Sequence, residues 1–138
     1  MKQKNKKKIL SICVMAVLCV SLAGCNGGRI AKANVEIGES SIYTEDEIGD
    51  AMDIVLDCFS EEFEDCYLTD LWYDEEVSVE QAQSWADQYE AEEAIVLLSE
   101  FYTGPYGLEG FSPNTTYENW QWILARNGGD WELKTWGY

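Results

Sequence analysis

The 138 residues contain no histidine. This excludes a Ser-His-Asp or Cys-His catalytic pair and any histidine-ligated zinc. The groups left that could do chemistry are carboxylates, thiols and tryptophans. Asp70 stands out among the 26 acids because it sits inside an apolar run, between Leu68 and Trp72. On an apolar face its pKa would rise and it could act as a general acid or base; turned to solvent, it would be one more surface carboxylate. The aromatic stock is large, with six Trp, eight Tyr and four Phe. Trp72, Trp85, Trp120, Trp122 and Trp131, with Asp70, are the candidates for lining a ligand pocket, since pockets are mostly apolar with a few placed polar groups. The competing reading is that a small domain uses bulky rings to fill its core. The acid clusters Glu61-Glu62-Glu64-Asp65 and Asp74-Glu75-Glu76 follow no EF-hand spacing and read as solvated faces. No metal-ligand set and no cofactor motif is present.

The five cysteines divide by position. Lys2, Lys4, Lys6, Lys7 and Lys8 precede a 12-residue run, Ile9 to Val20, that is apolar except for Ser11. That run falls short of the ~20 residues a membrane-spanning helix needs. A charged start, an apolar middle and small residues before a cleavage site describe a secretory signal peptide. Its end, Leu22-Ala23-Gly24-Cys25, resembles the lipobox of bacterial lipoproteins. The resemblance implies that residues 1–24 are removed and that Cys25 carries a diacylglycerol as the first mature residue. The expected location is then the extracytoplasmic face of the cell membrane. Cys13 and Cys19 leave with the signal, and Cys58 and Cys66 remain. On one helix they would lie ~12 Å apart, too far for a disulfide, which needs Cα atoms within ~7 Å. Either the helix stops and the chain folds back to bridge them, or both are free thiols.

Charge follows the same division. The total is −17, and loss of the five leading lysines takes the mature chain to −22. No Lys or Arg lies between Lys32 and Arg126. With four cations against 26 acids, such a polyanion has too few charges to exchange for the counterions of a nucleic acid, which argues against that partner. Residues 25–42, with Gly, Asn and Ser and no apolar periodicity, read as a flexible lipid-anchored tether, and 43–138 as the folded domain.

The elements that must position these groups follow from periodicity. Thr44-Glu45-Asp46-Glu47 is a capping box. Ile48, Met52, Val55, Leu56, Phe59 and Phe63 behind it trace one helical face over about 45–64. Residues 66–73 (CYLTDLWY) read as a strand. Ser78-x-x-Gln81 reads as a second capping box opening a helix over about 79–89 that buries Ala82, Trp85, Ala86 and Tyr89. Residues 94–102 read as a central strand. Two strands, 117–126 and 131–138, flank Gly128-Gly129, which suits a two-residue type I′ turn. That turn pairs Leu124 with Leu133 and Trp122 with Thr135. It places Trp120, Trp122, Leu124, Trp131 and Leu133 on the core face, and Ile123, Trp136 and Tyr138 on the other.

The order α-β-α-β-β-β makes an α+β domain whose antiparallel sheet packs on its first helix. This order, the closing run WQWILARNGGDWELKTWGY and the stretch LTDLWYDEE (68–76) resemble the nuclear transport factor two-like, ketosteroid-isomerase-like cone fold, as found in small lipoproteins of Gram-positive bacteria. A cystatin-like arrangement is the alternative. Enzymes of the cone superfamily use an Asp or His base and a Tyr or Asp oxyanion donor, and no such motif matches here residue by residue. The expected role is a non-catalytic binding or accessory domain for a small apolar ligand, an envelope protein or a basic peptide. A carboxylate-dependent hydrolase or isomerase using Asp70, and an acidic spacer, are the alternatives.

Overall fold

The computed structural model describes residues 27–138. The basic start, the apolar run and Leu22 to Cys25 lie outside the described residues. The order is β1 (Asn34–Glu36), α1 (Glu45–Glu62), β2 (Cys66–Tyr73), α2 (Glu75–Gln88), β3 (Glu93–Thr103), β4 (Thr116–Arg126) and β5 (Glu132–Gly137). The strands form one open sheet in chain order. β1 runs parallel to β2, and the other neighbours are antiparallel. The α+β class is as expected. The parallel β1 is an addition, because residues 25–42 were expected to carry no element. Ala33-Asn34-Val35-Glu36-Ile37 alternates apolar with polar, which is enough to add one short strand to an open edge.

The first helix starts as its residues require. Thr44 Oγ1 accepts from the Glu47 N–H at 3.2 Å, and Glu47 Oε2 accepts from the Thr44 N–H at 2.8 Å. Ile48, Met52, Val55 and Phe59 of α1, with Phe63 just beyond it, are buried against Leu68, Leu71, Ile95, Leu97, Phe101, Trp122 and Leu124 on one face of the sheet. The reverse face is covered at one end by α2, where Ala86 meets Ala94 and Ala125.

Three expectations are corrected. The second helix begins at Glu75, because Asp74 is its N-cap and accepts from the Val77 N–H at 3.2 Å. Ser78 therefore lies inside the helix, 1% exposed, and its Oγ accepts from the Val96 N–H at 3.0 Å. The β2 ladder ends at Tyr73 opposite Leu97, so Val96 finds its acceptor on the helix instead. Ala86 is buried, but Ala82, Trp85 and Tyr89 are only half-buried.

The hairpin differs too. Of the two glycines only Gly128 takes positive φ, 71°, so the turn is not type I′. Leu124 pairs with Leu133 as expected, but Ile123 pairs with Thr135 and Trp122 with Trp136. Lys134 is the extra residue of a bulge, and a one-residue slip moves every later side chain to the opposite face. Trp136 thus lies against Trp122 and Phe63, and Tyr138 against Trp120, on the side of the core. Two more bulges interrupt β2 after Leu68 and β4 at Glu118-Asn119, where Asn119 has φ 54°.

Candidate functional site

The five tryptophans do not gather around one pocket. Trp122 is fully buried among Phe59, Phe63 and Trp136, and its Nε1 donates to Ser99 Oγ at 2.8 Å. Trp131 donates from Nε1 to the Glu47 carbonyl at 3.0 Å. Trp120 packs among Phe101, Phe111, Tyr117 and Tyr138. These three rings belong to the buried core. Trp85 is half-buried beside Tyr89 on α2, and Trp72 is half-buried on the reverse face. For Trp120, Trp122 and Trp131 the filling role wins because each meets other rings at ordinary contact distances, and a packed interior has few voids.

Arg126 ties α1, β3 and β4 together. Its Nη2 lies 2.7 Å from Glu47 Oε1, its Nε pairs with Glu93 Oε1 at 2.5 Å, and its guanidinium stands 4.1 Å from the Trp131 ring centre. The Arg126–Trp131 contact is a cation–π pair. Burial alone would lower the Arg126 pKa, but hydrogen bonds to Glu47 and Glu93 outweigh it and hold it above its usual value. The hydrogen bond from Arg126, followed by the Thr44 N–H, holds the Glu47 pKa below the ordinary carboxylate value. Stability from a lowered carboxylate is complete above its unfolded pKa and is lost as pH falls through the folded one. The melting temperature is therefore expected to fall on acidification below about pH 4.5, and Arg126→Gln to flatten that decline. Unfolding scans of both proteins across pH 2–6 check this; equal slopes would remove Arg126 from the account.

Cys58 and Cys66 are free thiols. α1 carries Cys58 on to Glu62 before the chain turns at Asp65, φ 57°, and the bridged alternative is not formed. Burial pushes both thiols up to about 11, helped by Glu62 and Glu61 beside Cys58 and by Asp65 beside Cys66. Neither is a reactive thiolate at neutral pH. Asp65 itself anchors a loop, since its Oδ2 accepts from the N–H groups of Tyr106 (2.8 Å) and Gly107 (3.0 Å).

The polar groups that converge do so on the reverse face of β2 and β3, at the end α2 leaves open. Asp70 stands there opposite Glu100, not in the core. With Asn34, Glu36 and Trp72 these carboxylates border a shallow groove of about 400 Å³. Next to it Tyr67 and Tyr102 stack, ring centres 4.7 Å apart and 5° from parallel. Arg29 stands 5.4 Å over the Tyr67 ring. Arg29, Lys32, Thr69 and the two tyrosines line a second groove of about 500 Å³.

Arg29, Lys32, Tyr67 and Tyr102 were not among the residues singled out from sequence. The two cations lay in the stretch read as tether, and the tyrosines meet only because Tyr67 and Tyr102 are register partners. The alternation over 33–37 was the one available signal. No family model, curated protein or solved structure matches the chain.

Proposed function

We propose that the protein is a lipid-anchored, extracytoplasmic binding or accessory domain, held to the membrane by diacylglyceryl-Cys25 and acting without catalysis. The observation that carries this reading is Leu22-Ala23-Gly24-Cys25 placed directly behind a basic start and a 12-residue apolar run. Among the described residues no helix is long and apolar enough to cross a membrane. The binding role is favoured over catalysis because Asp70, the carboxylate best placed by sequence, stands on an open face with Glu100 and Glu36, away from the ring-filled interior. An open face with aromatic and charged groups can hold a partner but does not exclude water, which acid–base chemistry on a buried carboxylate would need. The cone-like family likeness belongs to the same proposal, supported by a helix lying across a bulged antiparallel meander.

Cys25→Ser is expected to abolish metabolic incorporation of labelled fatty acid and to move the protein from the membrane fraction to the soluble one. Unchanged membrane retention of that variant would overturn the anchor.

A further inference from the structure

The chain is docked almost from the point where the anchor would be attached. A Cβ on Gly27 would collide with the Ser60 carbonyl of α1, and one on Gly28 with the Phe59 carbonyl and ring. The Arg29 N–H donates to the Cys66 carbonyl, and the Arg29 carbonyl accepts from the Leu68 N–H, both at 2.9 Å. Gly27 and Gly28 thus let the backbone lie directly on the end of α1, and Arg29 begins a short parallel pairing with β2. Cys25 is two residues before Gly27, and two extended residues reach at most ~7 Å. A lipid on Cys25 therefore leaves the domain no tether on which to stand away from the bilayer. One of its faces must lie against the headgroups.

Two faces meet at this root, with opposite charge. On one side is the C-terminal end of α1, with Glu61 and Glu62 exposed and Glu64 just beyond. On the other are Arg29 and Lys32 beside the stacked tyrosines. The other two cations of the mature chain are engaged, Arg126 with Glu47 and Glu93, Lys134 with Glu132. Arg29 and Lys32 make no salt bridge among the described residues. Anionic headgroups repel the first face and attract Arg29 and Lys32 on the second, while Glu36, Asp70 and Glu100 border the neighbouring groove. Tyrosine, with an apolar ring and a polar tip, is at home at the depth of the headgroups. Tyr102 is 41% exposed on this side.

We propose that Arg29, Lys32, Tyr67 and Tyr102 form the face on which the domain rests against the phosphate headgroups of the membrane that holds Cys25. The proposal rests on the reading of Cys25 as lipid-modified. It replaces the flexible tether expected over residues 25–42 with a domain lying on the surface in a set orientation.

The mature chain has two lysines, Lys32 in the patch and Lys134 on β5, so amine labelling carries its own reference. The full lipidated chain is purified and placed either in a neutral-headgroup detergent or in vesicles of phosphatidylglycerol and phosphatidylcholine. Both samples are labelled briefly with an amine-reactive reagent and read by mass spectrometry. Lys32 labelling relative to Lys134 is expected to fall at least five-fold in the vesicles. Arg29→Glu combined with Tyr102→Ser, both at exposed positions, is expected to restore the detergent ratio. An equal ratio in vesicles and detergent, with Cys25 shown to be acylated in the same spectra, overturns the orientation and leaves the anchor standing. An unmodified Cys25 overturns the anchor and the orientation with it. Protection of Lys32 in intact cells but not in vesicles overturns the lipid assignment and gives the face to an envelope protein.

Discussion

Trp122→Ala should destabilise the domain by about 3–5 kcal/mol, the range for removing a large aromatic from a core. Trp122 is 0% exposed and stands where α1, β4 and β5 converge. Its ring meets Phe59 and Phe63 from the helix and Trp136 across the hairpin. Truncation leaves a cavity that three rings and two backbone layers cannot close, and it leaves Ser99 Oγ without the indole N–H it accepts from. Small domains hold only roughly 5–15 kcal/mol in total, so the variant should sit near its unfolding midpoint at moderate denaturant. Equilibrium urea unfolding of the chain with Cys25→Ser as reference measures the loss. Trp122→Phe should cost clearly less, since it keeps one aromatic ring and removes only the smaller part of the indole with its N–H donor. A loss below about 1 kcal/mol for the alanine variant would mean that the core does not depend on this ring.

Gly28→Val should release the segment before α1 from the domain. The valine side chain would have to occupy space taken by the Phe59 carbonyl and ring, and neither can retreat without shifting the end of α1. Overpacking of this kind typically costs about 1–3 kcal/mol. Here the cheaper outcome is undocking, because the segment is held by few bonds: the Arg29 pair with Cys66 and Leu68, and the three-residue ladder of β1. Hydrogen exchange at Leu68 and at the β1 amides should rise at least ten-fold while exchange in β3 and β4 stays unchanged. Limited proteolysis should cut within 29–40 of the variant before it cuts the remainder. Equal protection in both proteins would show that the chain ahead of β1 is not seated on Ser60 and Phe59. In the lipidated protein the same substitution gives the domain a tether, so the ratio of Lys32 to Lys134 labelling in vesicles should return to its detergent value.

The parts of the fold that could be read from residues are those in which one local rule acts alone. Thr44 and Glu47 satisfy each other's backbone groups within four residues, so the start of α1 needs no tertiary knowledge. The Ile48 to Phe63 stripe is a period that only one face of a helix can satisfy. The strand Cys66–Tyr73 follows from its own apolar and aromatic run, bounded by Asp74-Glu75-Glu76. Where two local rules compete, the surroundings choose. Asp74 and Ser78 both offer N-caps. Asp74 prevails because a helix beginning there brings Ser78 Oγ to the Val96 N–H past the end of β2. In the hairpin the register predicted from Gly128-Gly129 holds at Leu124 and Leu133 and then slips at Lys134. The slip carries Trp136 onto the core side, where Phe63 and Trp122 receive it.

By itself the sequence determined the α+β class, the first helix with its cap, the strand order after it, and the absence of any histidine chemistry. It also carries the motif on which the membrane anchor is proposed. Each of these depends on neighbours along the chain or on composition, and neither changes on folding. Only the tertiary structure decided that Trp120, Trp122 and Trp131 fill the core, that Asp70 faces outward beside Glu100, and that Cys58 and Cys66 stay apart. It also decided that residues after Gly27 are part of the domain. Two glycines read in isolation signal freedom; against the carbonyls of Phe59 and Ser60 they signal close contact. The difference is physical: packing depends on which distant atoms arrive at a position, and no local pattern encodes that.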